Sequence, residues 1–228
     1  MREKSNTYKL VTAGLLFLIP SFYLYYTGDA AGRTLPKDGI SIATISAFVL
    51  MLGQFFLSGL VSLPLQMPTR GNVIKLHKIV GYVAAAVLLS HPLLIVVPRF
   101  FEAGISPHQA FVKMISVGTP GITTGMAAWV LLLLILVLSL LRKWIPMSYR
   151  DWRKLHGLMS IMFIILAAYH SIYLGRHIYQ VFAGYIVILV IAAISLLLQQ
   201  YIYEFFNQRE KNKWITTERA ILCPDETL

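Results

Sequence analysis

The chain has 228 residues, of which 57% are hydrophobic and only 13% are charged. Its mean hydropathy of +0.68 is typical of integral membrane proteins and excludes an ordinary soluble domain. The formal net charge of +10 does not indicate nucleic-acid binding, because the basic residues flank apolar segments and form no patch on a soluble domain. The single cysteine, Cys223, excludes an intrachain disulfide and a cysteine-ligated cluster.

Six long apolar stretches follow one another along the chain. Most of them have the roughly 17 to 25 residues that a membrane-spanning helix requires, and the first and fifth are the shortest. The stretches are residues 10–26, 40–65, 79–97, 122–141, 158–174 and 178–203. The sequence therefore predicts an all-α membrane protein, a bundle of six transmembrane helices.

The connections between these stretches differ in length and charge. Residues 98–121 form the longest outer loop, which we expect to contain a short interfacial helix at 108–116. Residues 142–154 form a short and strongly basic inner loop. We assign residues 1–207 to one transmembrane domain and residues 208–228 to a cytoplasmic tail, since the chain turns polar after Tyr203.

The distribution of lysine and arginine predicts the orientation of the bundle. If the N-terminus is cytoplasmic, 15 of the 20 basic residues lie in inner segments. The outer segments then carry only Arg33, Lys37, Arg99, Lys113 and Arg176. The positive-inside rule thus favours cytoplasmic termini. We expect the protein in the plasma (inner) membrane of a bacterium. An alternative is that residues 1–31 form a cleaved signal peptide, against which the long apolar run and its tyrosines argue.

Four histidines form two pairs with the same spacing of 14 residues, His77 with His91 and His156 with His170. This spacing is about 3.9 helical turns, so the members of a pair share one helix face about 21 Å apart. If the third and fifth helices run parallel, His77 and His156 share an inner level, and the other two share an outer level. Two facing imidazoles are a natural axial ligand set for haem iron. The spacing therefore predicts two stacked bis-histidine haems.

The residues between the histidines fit this hypothesis. Gly81 and Ser160 lie one turn from the inner histidines and would leave room for a porphyrin plane. Phe163 lies midway between the two levels, opposite Ala84, where its ring would fill the gap between the haems. Ordinary small-residue packing between membrane helices is an open alternative for all of these positions.

Anionic haem propionates require cations near each interface. We expect Arg99 and Arg176 to serve on the outer side, where cations are scarce and each lies near the end of a histidine helix. The inner side offers Arg70, Lys75, Lys78, Arg150, Arg153 and Lys154.

His108 and His177 lie in outer loops, where a solvated histidine is the simplest interpretation.

The two His-x13-His helices, the segment Tyr-Arg-Asp-Trp-Arg-Lys-Leu-His at 149–156 and the six-helix layout resemble the transmembrane domain shared by ferric reductases and NADPH oxidases. The resemblance covers about residues 40–203. It implies two b-type haems stacked between helices 3 and 5, and electron flow from a cytoplasmic flavin and NAD(P)H donor to ferric iron or oxygen outside. Oxidases of this superfamily carry a further outer histidine where this chain has Ile95, which argues against an oxygen pocket of that type.

The stretch 213–228 is similar to the opening strand of the flavin-binding barrel that follows in those enzymes. No Gly-x-Gly-x-x-Gly and no Gly-x-x-x-x-Gly-Lys-[Ser/Thr] occurs in the 228 residues. FAD or FMN and NAD(P)H are therefore expected only through a further domain or a cytoplasmic flavoprotein partner.

Two other functions stay open. One is a quinol-linked haem subunit that feeds a periplasmic reductase for the repair of oxidised proteins. The other is a transporter or haem-handling protein, which would need polar groups along a membrane path.

Overall fold

The computed structural model describes residues 2–28, 35–60, 70–104, 106–109, 112, 118–175 and 178–222. These residues form six long helices, and a 3-10 turn at Leu141–Lys143 follows the fourth of them. The helices are α1 Arg2–Thr27, α2 Leu35–Leu60, α3 Arg70–Ala103, α4 Pro120–Leu140, α5 Tyr149–Leu174 and α6 Gln180–Leu222.

Five of the helices, α2 to α6, are long and apolar enough to cross a membrane. The apolar part found in α1, Gly14–Thr27, is shorter than a full span. Many large apolar side chains of the bundle are exposed, including Leu16, Ile188 and Leu158, as expected for helices whose outer faces contact lipid. The predicted all-helical membrane class is confirmed, and the predicted count of six spans stays a prediction.

Local sequence signals explain where several helices begin and end. The Ser148 hydroxyl accepts a hydrogen bond from the Asp151 backbone N–H at 3.1 Å and so caps the start of α5. Pro120 occupies the first turn of α4. A backbone N–H at this position has no acceptor within the helix, so the absence of an N–H in proline breaks no hydrogen bond. Gly104 follows α3 with a φ of 61°, the left-handed conformation that commonly stops a helix.

The helices pack in an order that determines which faces meet. The closest pairs are α4 with α5 and α2 with α3, and α2 also packs on α1 and α6. Fully buried side chains such as Leu52, Phe182 and Ile186 form the centre of the core. Among interhelical hydrogen bonds, the Tyr185 hydroxyl donates to the Phe17 carbonyl at 3.1 Å. In lipid such bonds and close packing hold helices together, since apolar surface alone gives no preference for protein over lipid.

The structure corrects one expectation about the tail. Residues 213–222 continue α6 as a helix, so the predicted strand is wrong over this part, and residues 223–228 lie outside the described residues. The alternation of residue types in this stretch and the Pro-Asp turn at 224–225 favoured the strand interpretation. Extension of an existing helix adds one hydrogen bond per residue without a new nucleation step, and the surrounding Glu, Lys, Gln and Arg are good helix formers.

We expect Gly157→Ala to destabilise the bundle by about 1–3 kcal/mol, because it overpacks the contact between α5 and α6. A Cβ at Gly157 would overlap the Tyr201 hydroxyl, which donates to the Arg153 carbonyl at 3.0 Å. Thermal unfolding in detergent measures the change. Gly184→Ala is the matched control, because a Cβ there meets nothing within 4 Å and should be neutral or stabilising. Equal melting temperatures for Gly157→Ala and wild type would contradict this packing.

Candidate haem-binding site

The four histidines meet as two pairs between α3 and α5. The ring centroids of His77 and His156 are 6.3 Å apart, with 75° between the ring planes. Those of His91 and His170 are 6.2 Å apart, with 60° between the planes. This is the pairing that the 14-residue spacing predicts, with one pair at each of two levels of the bundle.

These separations fit a metal ion held between two imidazoles. Two metal–nitrogen bonds of about 2 Å, together with the half-widths of two rings, place the ring centroids about 6 Å apart. The backbones of α3 and α5 are not among the closely packed helix pairs, and both helices pack on α4 instead. His77 is exposed and the other three histidines are half-buried. The rings therefore border a gap between the two helices, as a planar cofactor with axial histidines requires.

Both outer histidines use one ring nitrogen for a backbone carbonyl. His91 Nδ1 lies 2.7 Å from the Leu88 carbonyl oxygen, and His170 Nδ1 lies 2.7 Å from the Gly121 carbonyl oxygen of α4. A carbonyl can only accept, so Nδ1 carries the proton and donates in each case. The Nε2 atoms then keep their lone pairs. This is the arrangement that metal-binding histidines usually show, with the second N–H donated to an outer partner.

The inner pair has a different environment. The His156 ring stacks on Trp152 at 4.9 Å between centroids, and the Tyr149 ring stacks on Trp152 at 6.2 Å. Arg142 lies over the Trp152 ring at 5.6 Å and donates to two carbonyls of the inner loop. Within the described residues neither inner ring makes a hydrogen bond. Aromatic stacking therefore positions His156, and the series of rings ends at the exposed Tyr149.

Buried residues lie between the two histidine levels along each helix. Ala84 is 2% exposed and Phe163 is 4% exposed, and Phe163 belongs to the central core cluster. The place of Phe163 between two cofactors stays a prediction.

Small residues leave space beside the inner pair. A Cβ at Gly81 would meet only the Gln54 amide of α2, at 3.8 and 4.0 Å. Gln54 is 8% exposed, and its Nε2 has no hydrogen-bond partner in the described part of the chain. An unpaired amide N–H2 in a membrane interior is costly, so this donor suits an acceptor on a bound group. The hydroxyl of Ser160, in contrast, already donates to the His156 carbonyl at 2.7 Å.

Several predicted contributors cannot be placed at the site. Arg99 belongs to α3 but its side chain lies outside the described residues, as do Arg176 and His177 entirely. Arg153 lies over the Tyr201 ring at 6.0 Å. His108 is exposed, and the described residues contain no group of three or more His, Cys, Asp or Glu side chains that could hold a metal ion.

The roles of three residues near the site were not predicted from the sequence. The Gly121 carbonyl and the Trp152 ring contact histidines, and the unpaired Gln54 Nε2 lies beside Gly81, one turn from His77. Gly121 had a recognisable signal, since Gly121 and Gly125 form a Gly-x-x-x-Gly motif in an apolar helix. Trp152 also had one, since it belongs to the segment 149–156 and lies four residues, about one helical turn, before His156. Nothing in the sequence around Gln54 distinguishes it from other interface residues.

Comparison with known proteins identifies the family of this chain. Residues 43–167 match the family described as ferric reductase like transmembrane component, a range that includes His77, His91 and His156 and ends three residues before His170. An uncharacterized protein of Archaeoglobus fulgidus is 33% identical over 171 residues, which cover 75% of this chain and 92% of that protein. No solved structure matches the chain. The matched range, more than half of the chain, shows that this protein belongs to the ferric reductase like transmembrane component family.

Proposed function

We propose that the protein transfers electrons across the membrane through two bis-histidine b-type haems. His77 and His156 would hold the inner haem, and His91 and His170 the outer one. The observation that carries the proposal is the pair of ring separations, 6.3 and 6.2 Å, at two levels of the same two helices. A bound haem supplies one-electron chemistry, and two axial histidines leave it no open position for a substrate. Family membership supports transmembrane electron transfer by an oxidoreductase.

The inner surface of the bundle suits a cytoplasmic flavoprotein as electron donor. The loop before α5 and the first turns of α5 expose Trp144 and Tyr149 together with basic side chains. Those basic residues are Lys143, Arg150 and Lys154. A flavin converts the two-electron chemistry of NAD(P)H into single electrons. We place its docking surface here, because the stacked Tyr149, Trp152 and His156 rings lead from this surface to the inner pair.

We also propose the side on which the electron acceptor is reduced and the further residues that contact the haems. We place both termini in the cytoplasm and the outer pair on the far side, so that ferric iron or oxygen is reduced there as a diffusing acceptor. The Gln54 amide would donate a hydrogen bond to the inner haem, because it is the unpaired donor nearest to Gly81. The outer propionates would take Arg99 and Arg176, and Phe163 would separate the two cofactors.

The purified protein, reconstituted with haem, should hold two low-spin, six-coordinate haems b per chain, because four histidines provide two complete axial pairs. A pyridine haemochrome assay against protein concentration measures the ratio, and absorption spectra report the spin state. One haem or fewer per chain at saturation would contradict the two-site proposal.

A further inference from the structure

A proline in the outer half of α3 frees the carbonyl that binds His91. In a regular helix the N–H of residue 92 would donate to the carbonyl of Leu88, four residues earlier. Pro92 has no N–H, so this carbonyl loses its helical donor. His91 Nδ1 takes the vacated acceptor at 2.7 Å. The sequence His91-Pro92 thus orients its own histidine within one turn of helix.

A glycine pair in α4 brings a backbone carbonyl to His170 by a different means, the close approach of two helices. A Cβ at Gly125 would overlap the His170 ring atoms Nδ1, Cε1 and Cγ. A Cβ at Gly121 would overlap the side chains of Tyr173 and Leu174. The two glycines therefore let α4 approach α5 closely enough for the Gly121 carbonyl to reach His170 Nδ1 at 2.7 Å.

Each ring of the outer pair therefore donates to a backbone carbonyl, and within the described residues neither ring of the inner pair does. Backbone carbonyls of packed helices cannot rotate away, so each outer ring is fixed in its tautomer and its orientation. A hydrogen bond from Nδ1–H also raises the basicity of the ligating nitrogen, which stabilises the ferric state of a bound iron. The inner His156 rests on the ring of Trp152, which has no such effect.

We infer that Pro92 and Gly125 are positioning residues of the outer haem, which lower its reduction potential through His91 and His170 and strengthen its retention. This inference rests on the proposed function, since it assumes that the two histidines ligate iron. Pro92 and Gly125 would not contact the haem themselves, and they would act on it only through the His91 and His170 side chains that they orient.

The test is a redox titration of the haem-loaded full chain followed by optical spectra, with the two transitions assigned by His77→Ala and His91→Ala variants. Pro92→Ala restores an N–H that competes for the Leu88 carbonyl, and Gly125→Ala displaces the His170 ring. Each change should raise the midpoint potential of the outer haem and leave the inner one unchanged. Each should also weaken retention of the outer haem, by about 10- to 100-fold as for other partners of metal ligands.

Matched controls separate positioning from general packing. Pro20→Ala removes a proline from α1, and Gly184→Ala adds a methyl group where nothing lies within 4 Å, so both should leave the two potentials unchanged. In the haem-free protein, nitrogen-15 NMR of the histidines should show the Nδ1–H tautomer for His91, and less of it in Pro92→Ala. Two haems in the wild type with an unmoved outer potential in both variants would overturn the inference alone. Absence of haem from the wild type would overturn the proposed function itself.

Discussion

Alanine in place of either member of a histidine pair should remove one of the two haems and leave the other in place. His91→Ala or His170→Ala should remove the outer haem and block the exit of electrons, because a single axial histidine leaves the iron five-coordinate and weakly held. His77→Ala or His156→Ala should remove the inner haem and block entry. The pyridine haemochrome ratio should fall from two haems per chain to one in each variant.

Double variants make the pairing testable. His77→Ala with His156→Ala should still bind one haem, because both changes destroy the same site. His77→Ala with His170→Ala should bind none, because the changes destroy both sites. His108→Ala is the control, since this exposed outer histidine lies outside both pairs. One retained haem in the combination of His77→Ala and His170→Ala would contradict the arrangement of the rings in the structure.

The 228 residues by themselves should show no reduction by NADPH, although dithionite should reduce both haems. The chain contains no nucleotide-binding glycine motif, and a haem accepts electrons singly whereas NADPH delivers a hydride. Addition of a flavoreductase, or fusion of a flavin domain to the inner side, should give NAD(P)H-driven reduction of a ferric chelate. Stopped-flow spectra of the haems in proteoliposomes, with the chelate on the outer side, measure both steps.

The electron donor is tested further by a charge-reversal variant and by reduction with other donors. Charge reversal of Arg150 and Lys154 to glutamate should slow reduction by the flavoprotein and leave reduction by dithionite unchanged, because these exposed residues belong to the docking surface. Rapid reduction by a quinol without flavoprotein would favour the quinol-linked alternative. Robust NADPH oxidation by the chain alone would contradict the requirement for a flavin.

The sequence by itself determined the membrane class, the family and the pairing of the histidines. Apolar runs long enough to cross a bilayer are a local property, because lipid forces every backbone hydrogen bond to be satisfied within its own helix. The helical repeat is equally local. With α3 and α5 taken as parallel from the distribution of basic residues, the shared spacing of 14 residues predicted which ring of α3 meets which ring of α5. Neither inference needed the register at which the helices pack.

The length of α6 shows where local reasoning failed. The alternation of residue types after residue 213 favours a strand in isolation, but these residues continue a helix that membrane burial has already nucleated. The pattern of the tail alone does not predict this, because the outcome depends on the helix that precedes it.

Only the tertiary structure decided which groups of other helices reach the site. The Gly121 carbonyl is one of many identical backbone groups, and it becomes a partner of His170 only because α4 packs on α5 at one register. Gln54 lies beside Gly81 for the same reason, through the docking of α2 on α3. The contacts of His91 with Leu88 and of His156 with Trp152, in contrast, are local to one helix. Residues three and four apart form one face of a helix, so a local pattern predicts that face. A contact between helices joins residues far apart in sequence, and no local pattern predicts it.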